Sequence, residues 1–571
     1  MKLYEALIKK RLIKRLETSK LLSPVQAAYR TNRSTCDHLL MIQELFLEYR
    51  FKPGSQKRPL YFCFIDLRQA FDTIYRDKLF LKVHNIGIKG KMNRVISDLY
   101  NKNIARVQVG NFLSSALIIN RGVMQGSKLG PILFNIFIND LLNDLNNSSL
   151  GARIGNLVIS TLGFADDILL IADSPSNLQK LIDICDKWSK VNDMCFNLKK
   201  CKVMVFNGDP HNLYFHLQNQ ILKIVTSYKY LGILLSSGAR QHTLYKEHFA
   251  RILEKAQTRV NCIKHYGFHK DGLRPQTAIR LYKVLIRPLL EYGAQVLSYR
   301  KYFLNSSRLA VDVDIPTFYR KDLEDFQTKT LKTLIGCPRN VSPSVVRLVT
   351  GVEPICCRLD MLKLRYYWKK THSPPSMVSE FINHRKKNLL EHNLGFVTEV
   401  FNLCCRIGNI SFWHGIHREK SNPLNLIKRT VTAHYFNKDI NTARNKACIF
   451  STLFLNNQVA KEKKYKLTKT FQRNGQFSTA SSRVKFVKAI LNTNSYLQEC
   501  KQCSLKFYDI LLHQLTTCPK LTKQRLTLKQ NFILYGTEPI PKLDNPTSVI
   551  SYALSKKILL KAFTDFLETS A

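Results

Sequence analysis

Apolar and polar positions alternate along this chain in two distinct rhythms. Residues 61–66 (Tyr-Phe-Cys-Phe-Ile-Asp) form a short unbroken apolar run, which predicts a buried strand. Leu79, Phe80 and Val83, then Met92, Val95, Ile96 and Leu99, fall at helical spacing and predict helices over 77–100. Residues 104–109 and 115–119 read as a β-pair. Pro131 stands where a helix would begin, ahead of the apolar run Ile132 to Leu145. Two strands, 157–165 and 168–172, are expected on either side of Asp166-Asp167. An amphipathic helix follows through Leu178, Leu181, Ile182, Cys185 and Trp188, and then a strand at Val203-Met204-Val205-Phe206. The order strand, helix, helix, hairpin, helix, strand fits a split βαβ sheet of the ferredoxin-like type. The first 17 residues have a helical pattern in Leu3, Leu7, Leu12 and Leu16, and the chain opens inside it with no capped start. Residues 240–370 read as mostly helical. Residues 370–490 are basic and mixed, densest at 461–466, with Pro374-Pro375 as a linker mark.

Charge narrows the class of partner. The 571 residues carry 88 Lys and Arg against 41 Asp and Glu, a formal net charge of +47. Such an excess repels itself unless a polyanion screens it, and nucleic acid is the expected one. An acidic membrane surface is the rival, but no apolar run reaches the length of a membrane-spanning helix. The 15 cysteines, odd in number and without a secretory leader, read as reduced thiols of an intracellular protein.

Asp66 ends an apolar strand, and Asp166-Asp167 sits between two more. An acidic pair at a turn is, taken alone, ordinary turn chemistry on a solvated surface. Partial burial and mutual repulsion would raise both pKa values, and a bound cation would remove both penalties. Mg²⁺ suits carboxylate, phosphate and water oxygens. Two such ions about 3.5–4 Å apart can serve an in-line displacement at phosphorus.

Five stretches occur in one order: Phe64-Ile65-Asp66-Leu67-Arg68-Gln69-Ala70-Phe71-Asp72, Arg121-Gly122-Val123-Met124-Gln125-Gly126-Ser127-Lys128-Leu129-Gly130-Pro131, Phe164-Ala165-Asp166-Asp167, Phe196-Asn197-Leu198-Lys199-Lys200-Cys201-Lys202 and Tyr230-Leu231-Gly232. The series resembles the reverse transcriptases of non-LTR (LINE-type) retrotransposons, closely over about residues 1–235 and more loosely to about 370. The resemblance implies a right-hand polymerase with an α/β palm of the ferredoxin-like split βαβ type, followed by a mainly α-helical thumb and C-terminal region. The domains expected are partial fingers at 1–60, the palm with fingers insertions at 61–240, a helical thumb and connection at 241–370, a basic region at 371–490, and a zinc-knuckle region at 491–571. It implies RNA-directed DNA synthesis from deoxynucleoside triphosphates on an RNA template, primed by a DNA 3′-hydroxyl, with two Mg²⁺ ions on Asp66, Asp166 and Asp167.

Other roles follow by the same resemblance. Phe71 matches the steric gate that crowds a ribose 2′-hydroxyl; without the motif it reads as a core aromatic. Gln125 and Gly126 match the turn that meets nucleotide and template, and otherwise form a loop before a helix. Lys200 matches a lysine near the leaving pyrophosphate, although a single lysine in so basic a chain is usually solvated. Tyr230-Leu231-Gly232 matches the primer-grip hairpin. Arg30 and Arg33, within Gln26-Ala27-Ala28-Tyr29-Arg30-Thr31-Asn32-Arg33-Ser34-Thr35, resemble fingers residues that meet triphosphate or template, with a solvated basic loop as the alternative. The family carries a further fingers segment before the position of Met1, so an N-terminally incomplete copy is expected, and neither end shows an endonuclease constellation. Nuclear residence is implied by the family alone.

Cys500-x2-Cys503-x9-His513-x4-Cys518 has the spacing of a Cys₃His structural zinc site, and such knuckles bind single-stranded nucleic acid. Separate helix residues are the plainer alternative. Two other functions compete with the enzyme: a decayed polymerase that only binds RNA or DNA, and an intron-type maturase. The three intact aspartates oppose the first. The form of the second stretch and the late cysteine cluster oppose the other.

Overall fold

The computed structural model describes residues 2–51, 57–101, 103–124, 126–237, 244–265, 275–297, 318–337, 339–388, 395–414 and 422–444, with scattered positions from 498 to 566. They fall into two compact units. The first is drawn from Met1–His248, Val296–Val311 and Tyr366–Asn402, the second from Phe249–Gln295, Asp312–Arg365 and Leu403–Ala571.

The first unit opens with helices α1 (Lys2–Thr18) and α2 (Thr35–Phe51), strand β1 (Leu60–Asp66), and helices α3 (Arg76–Asn85) and α4 (Gly90–Tyr100). Short strands β2 (Ile104–Ala105), β3 (Gln108–Val109), β4 (Phe112–Leu113) and β5 (Leu117–Ile118) follow, β2 pairing with β5 and β3 with β4. Helices α5 (Gly130–Phe137) and α6 (Asn139–Asn147) come next, then β6 (Ala152–Ile154), β7 (Leu157–Ile159), β8 (Thr161–Phe164), β9 (Asp167–Ala172), α7 (Pro175–Asn192) and β10 (Lys202–Phe206). Small strands β11 (His216–Leu217), β12 (Gln220–Ile221) and β13 (Lys223–Ile224) lead to the hairpin β14 (Ser227–Tyr230) and β15 (Ile233–Ser236).

The main sheet has the order β13-β10-β1-β9-β8. β1 lies antiparallel between β9 and β10, and β8 is antiparallel to β9. This is the split βαβ arrangement expected from the element order, with β13 added parallel at one edge. Burial on both faces explains why its strands read as unbroken apolar runs. Tyr61, Cys63, Ile65, Ile168, Leu170, Val203 and Val205 join one core with α3, α5 and α7. On the other face Phe62 and Phe206 meet edge to face, and Phe46 of α2 packs on Phe206. Helix α7 begins where its sequence says: Ser174 Oγ accepts from Asn177 N–H, and Pro175 occupies the first turn.

Two expected elements divide. The run Ile132 to Leu145 breaks into α5 and α6 at Ile138, where the side chain of Asn139 turns inward to accept from Ser23 N–H at 2.7 Å and donate to Leu21 C=O at 3.1 Å. The expected strand 157–165 divides at Ser160, because β7 pairs with β6 while β8 joins the main sheet.

Residues from Tyr366 onward in helix α13 (Ile355–Thr371), helix α14 (Met377–Lys387) and the start of α15 (Phe396–Arg406) pack on α2 within this same unit. Tyr366 O–H donates to Asp37 at 2.7 Å, and Lys370 Nζ meets the other oxygen of that carboxylate at 2.7 Å. Arg385 donates to Glu48 at 2.7 Å, and Phe396 N–H donates to Glu44 at 2.7 Å. The second unit is mainly helical among its described residues, with one short antiparallel pair, Gln498–Glu499 against Lys506–Phe507. It includes α8 (Lys246–His265) from Phe249 on, α9 (Pro275–Leu281), α10 (Arg287–Glu291), α11 (Phe318–Ile335), α12 (Pro343–Thr350), α16 (Ser411–His414) and α17 (Pro423–Arg444). Its buried carboxylates are paired: Asp360 with Arg320 at 2.8 Å, and Asp439 with Arg347 at 2.6 Å. No described helix is long and apolar enough to cross a membrane.

Candidate active site

The register of the main sheet delivers its acidic residues to one end. β1 pairs with β9 from Tyr61 opposite Ala172 to Asp66 opposite Asp167. Direct partners in an antiparallel pair lie about 4.5–5.5 Å apart at Cα. Phe164 stands opposite Asp167 in the β8–β9 hairpin, so Ala165 and Asp166 form its two-residue turn. Ala165 adopts φ +55°, a left-handed conformation that a short hairpin turn requires and an L residue resists.

The carboxyl groups sense one another. Burial raises the pKa of Asp166, and the charge of Asp66 adds to the rise. Asp167 is pushed up to about 6, first by burial, then by Asp166 and Asp66. Lys200 partly offsets both. Its Nζ lies 3.3 Å from Asp66 Oδ1, with the lysine side chain mostly exposed. The backbone brings it there: Asn197 N–H donates to Asp66 C=O at 2.8 Å, and Lys200 N–H donates to Asn197 C=O at 2.8 Å. Cys201 Sγ accepts from Asp66 N–H at 3.4 Å.

Among the described residues no three His, Cys, Asp or Glu side chains close on one point as a metal-binding group. The donor set nonetheless fits magnesium in kind. It consists of three carboxylates at one sheet end, two of them with raised pKa values, which is the penalty that a hard divalent cation removes.

Beside this end lies the 71–74 loop. Phe71 stacks on Phe134 of α5 with ring centroids 4.4 Å apart. Val123 N–H donates to Phe71 C=O at 2.9 Å, and Gly122 N–H donates to Ile74 C=O at 2.8 Å. The second stretch is thereby laid along the first. Gly122 permits it: at φ +78° a Cβ there would stand 2.7 Å from Asp72 O. Arg76 fixes the same stretch from below, donating to Gly122 C=O at 3.0 Å and Tyr100 C=O at 2.8 Å. Gly126 has φ +79° and open space around it. Gln125 lies outside the described residues. The turn after it is held by Glu5 of α1, which accepts from Lys128 N–H at 2.8 Å and Ser127 O–H at 3.1 Å.

The hairpin β14–β15 packs on the far face of the sheet. Tyr228 stacks on Phe64 at 3.9 Å, and Leu231-Gly232 makes the turn, both at positive φ. Tyr230 O–H lies 3.1 Å from Nδ1 of buried His38, whose Nε2 lies 3.2 Å from Val25 C=O. A carbonyl can only accept, so Nε2 carries the proton and Nδ1 accepts from the tyrosine. Burial lowers the His38 pKa to about 4, which keeps the ring neutral.

The two arginines differ. The side chain of Arg30 is 5% exposed and donates to both oxygens of Glu17, at 2.8 and 2.9 Å, and to Ser23 C=O, so its guanidinium is taken up inside the loop. Arg33 is half-buried, and its guanidinium reaches Pro24 C=O only at a long 3.4 Å. Of the cysteine–histidine cluster, Cys500, Cys503 and His513 lie outside the described residues, and Cys518 is buried. Sequence reading gave no role to Gln26, His38, Arg76 or Glu5. Their partners lie up to 192 residues away, and no spacing along the chain marks such bonds.

Residues 1–235 match the family model described as Reverse transcriptase (RNA-dependent DNA polymerase). Over 305 residues the chain is 26% identical to the RNA-directed DNA polymerase from mobile element jockey of Drosophila funebris, covering 52% of this chain and 32% of that protein. Over 304 residues it is 27% identical to the Retrovirus-related Pol polyprotein from type-1 retrotransposable element R2 of Popillia japonica, covering 51% and 40%. Among solved structures, telomerase from Candida tropicalis in complex with a fragment of telomeric RNA aligns with a TM-score of 0.32 and 13% identity, over 70% of this chain and 56% of that one. The chain spans about a third of the length of the jockey proteins it matches. At the level of this domain, the RNA-directed DNA polymerase expected from the five stretches is borne out, with non-LTR elements among its relatives.

Proposed function

We propose that this chain, which carries a reverse-transcriptase domain over residues 1–235, copies RNA into DNA for a non-LTR retrotransposon. It would extend a primer 3′-hydroxyl with deoxynucleoside triphosphates. The observation that carries the reading is the cross-strand pairing of Asp66 with Asp167, one residue from Asp166. On this reading the main sheet is the palm of a right hand, the loop and helices before β1 belong to the fingers, and the helices after β15 begin the thumb.

Asp66, Asp166 and Asp167 would hold divalent magnesium, which supplies Lewis-acid activation of the hydroxyl and charge neutralisation at the leaving pyrophosphate. The protein's own part is placement. Phe71, braced against Phe134, would occupy the space of a ribose 2′-hydroxyl and so favour deoxynucleotides. Lys200 stands on the exposed flank of Asp66, where an ammonium can meet phosphate oxygens. Gly126, in open space and at positive φ, would let backbone approach the nucleotide and template, with Gln125 beside it. Arg33 keeps donors for a phosphate, whereas Arg30 would shape the loop that presents it. The spacing of Cys500, Cys503, His513 and Cys518 supports a structural zinc knuckle that grips single-stranded nucleic acid.

Primer extension on an RNA template tests the reading, with Asp166→Asn as the control. Incorporation that depends on the template and vanishes in the variant is expected. Equal incorporation by both proteins would remove the catalytic assignment. Template binding without incorporation by either would leave a binding protein.

A further inference from the structure

The turn that carries Asp166 has a partner far away in sequence. Ala165 N–H donates to Gln26 Oε1 at 3.0 Å, and Ala165 C=O accepts from Gln26 Nε2 at 3.4 Å. One side-chain amide thus meets both polar groups of the left-handed residue, as a neighbouring strand would. Gln26 is 1% exposed. Its Oε1 also accepts from Ala28 N–H at 3.1 Å. The main chain on either side joins β8: Ala27 N–H donates to Gly163 C=O at 2.9 Å, and Gly163 N–H donates to Val25 C=O at 3.1 Å. That short loop is anchored in turn. His38 donates to Val25 C=O, and Asn135 Nδ2 of α5 donates to Ala28 C=O at 2.8 Å.

We propose that Gln26 is a positioning residue for the acidic turn. Its amide fixes the Ala165 peptide in the left-handed state and so aims Asp166 and Asp167 at their shared end of the sheet. The inference rests on the polymerase reading above for its catalytic consequence. Physical chemistry favours glutamine here. A neutral amide offers a donor and an acceptor in one plane without adding charge behind two carboxylates. Asparagine would fall a methylene short. Leucine would keep most of the volume and neither bond. Glutamic acid, held protonated by burial beside two other acids, would keep the oxygen that accepts from Ala165 N–H and an O–H in place of the amide donor.

The test uses the full chain as the parent protein, Gln26→Leu and Gln26→Glu. Amide hydrogen exchange is followed in peptides spanning residues 163–168 and in peptides from α7. Steady-state primer extension is measured alongside template–primer affinity. In Gln26→Leu the turn should exchange roughly tenfold faster, as expected for one lost hydrogen bond, while α7 keeps its protection. kcat should fall by roughly 10- to 100-fold, the scale of a small misplacement at a reacting centre. Template–primer affinity and the KM for nucleotide should hold. Gln26→Glu should recover slow exchange at the turn and part of kcat.

A Gln26→Leu protein with parental exchange and parental kcat would overturn the inference. So would a loss spread equally over α7, with Gln26→Glu no better than Gln26→Leu, because that pattern marks a plain core residue. If neither the parent nor Asp166→Asn extends a primer, the polymerase reading falls separately. The exchange arm would still decide whether Gln26 holds the turn.

Discussion

Asp66 and Asp167 are direct cross-strand partners, two carboxylates set face to face at the last register position of β1 and β9. Like charges in that relation destabilise a sheet. Asp167 accordingly binds its proton more tightly in the fold, at about 6, than at its ordinary value of 3.8. Its contribution to stability is full below about pH 4 and is lost as pH rises through 6. In divalent-free buffer at pH 7, Asp167→Asn should therefore raise the thermal midpoint. The gain should be on the order of 1 kcal/mol or less, because Asp167, although partly desolvated by its neighbours, keeps enough surface in water for solvent to screen the repulsion. The gain should shrink at pH 4, and primer extension should be lost. A lower midpoint at pH 7, read by differential scanning calorimetry, would contradict the pairing.

His38 has the opposite sign. Buried and neutral, it titrates at about 4 in the fold against 6.5 when free. The unfolded chain takes up the proton first, so stability is full above pH 6.5 and declines as pH falls toward 4. The whole decline is worth about 3 kcal/mol. His38→Gln, whose amide can still bridge Tyr230 and Val25, should flatten that slope in urea unfolding measured between pH 6.5 and 4.5. An unchanged slope would mean that His38 is not the group responsible.

Two glycines of one stretch should behave differently. Gly122 and Gly126 share a positive φ, but only at Gly122 would a Cβ meet backbone, at 2.7 Å from Asp72 O. Gly126→Ala should cost about 1 kcal/mol, the backbone term alone. Gly122→Ala should cost several times more, about 3 kcal/mol, because the backbones of residues 71–74 and 121–124 must part. Chemical denaturation compares the two, and equal losses would dismiss the close approach.

Phe71 gives a test of selectivity rather than stability. Phe71→Val removes the ring stacked on Phe134 and should admit ribonucleotides. Discrimination measured as the ratio of kcat/KM for dNTP over rNTP should fall by roughly 10- to 100-fold. A ratio left unchanged would return this residue to the core.

The charge of +47 predicts a steep salt dependence. Affinity for an RNA–DNA hybrid should fall by about 10³ or more between 50 and 200 mM salt if six or more phosphates are neutralised. A flat titration would refute the basic-surface expectation.

What could be read from the sequence follows from what is local. β1, β9 and β10 stand out as apolar runs because both faces of the sheet are covered, and α7 because Leu178, Leu181, Ile182, Cys185 and Trp188 recur at helical spacing and all face the core. The three aspartates were legible as a set only through the order of five motifs, since an acidic pair at a turn is common chemistry. Gln26 was not legible: its bonds to Ala165 span 139 residues. The break at Ile138 was hidden as well, because Asn139 interrupts an apolar run for the sake of a loop 116 residues earlier. Nothing in the basic, mixed pattern after residue 370 announced that α14 packs on α2.

That return has a practical cost for anyone cutting the chain. An expression fragment ended at residue 235, where the family match stops, would keep α2 and discard Tyr366, Lys370, Arg385 and the Phe396 amide. Asp37, Glu44 and Glu48 would then lose these donors and cations while still buried, which favours opening the helix to water. The boundary of kinship and the boundary of independent folding are therefore different lines on this polypeptide.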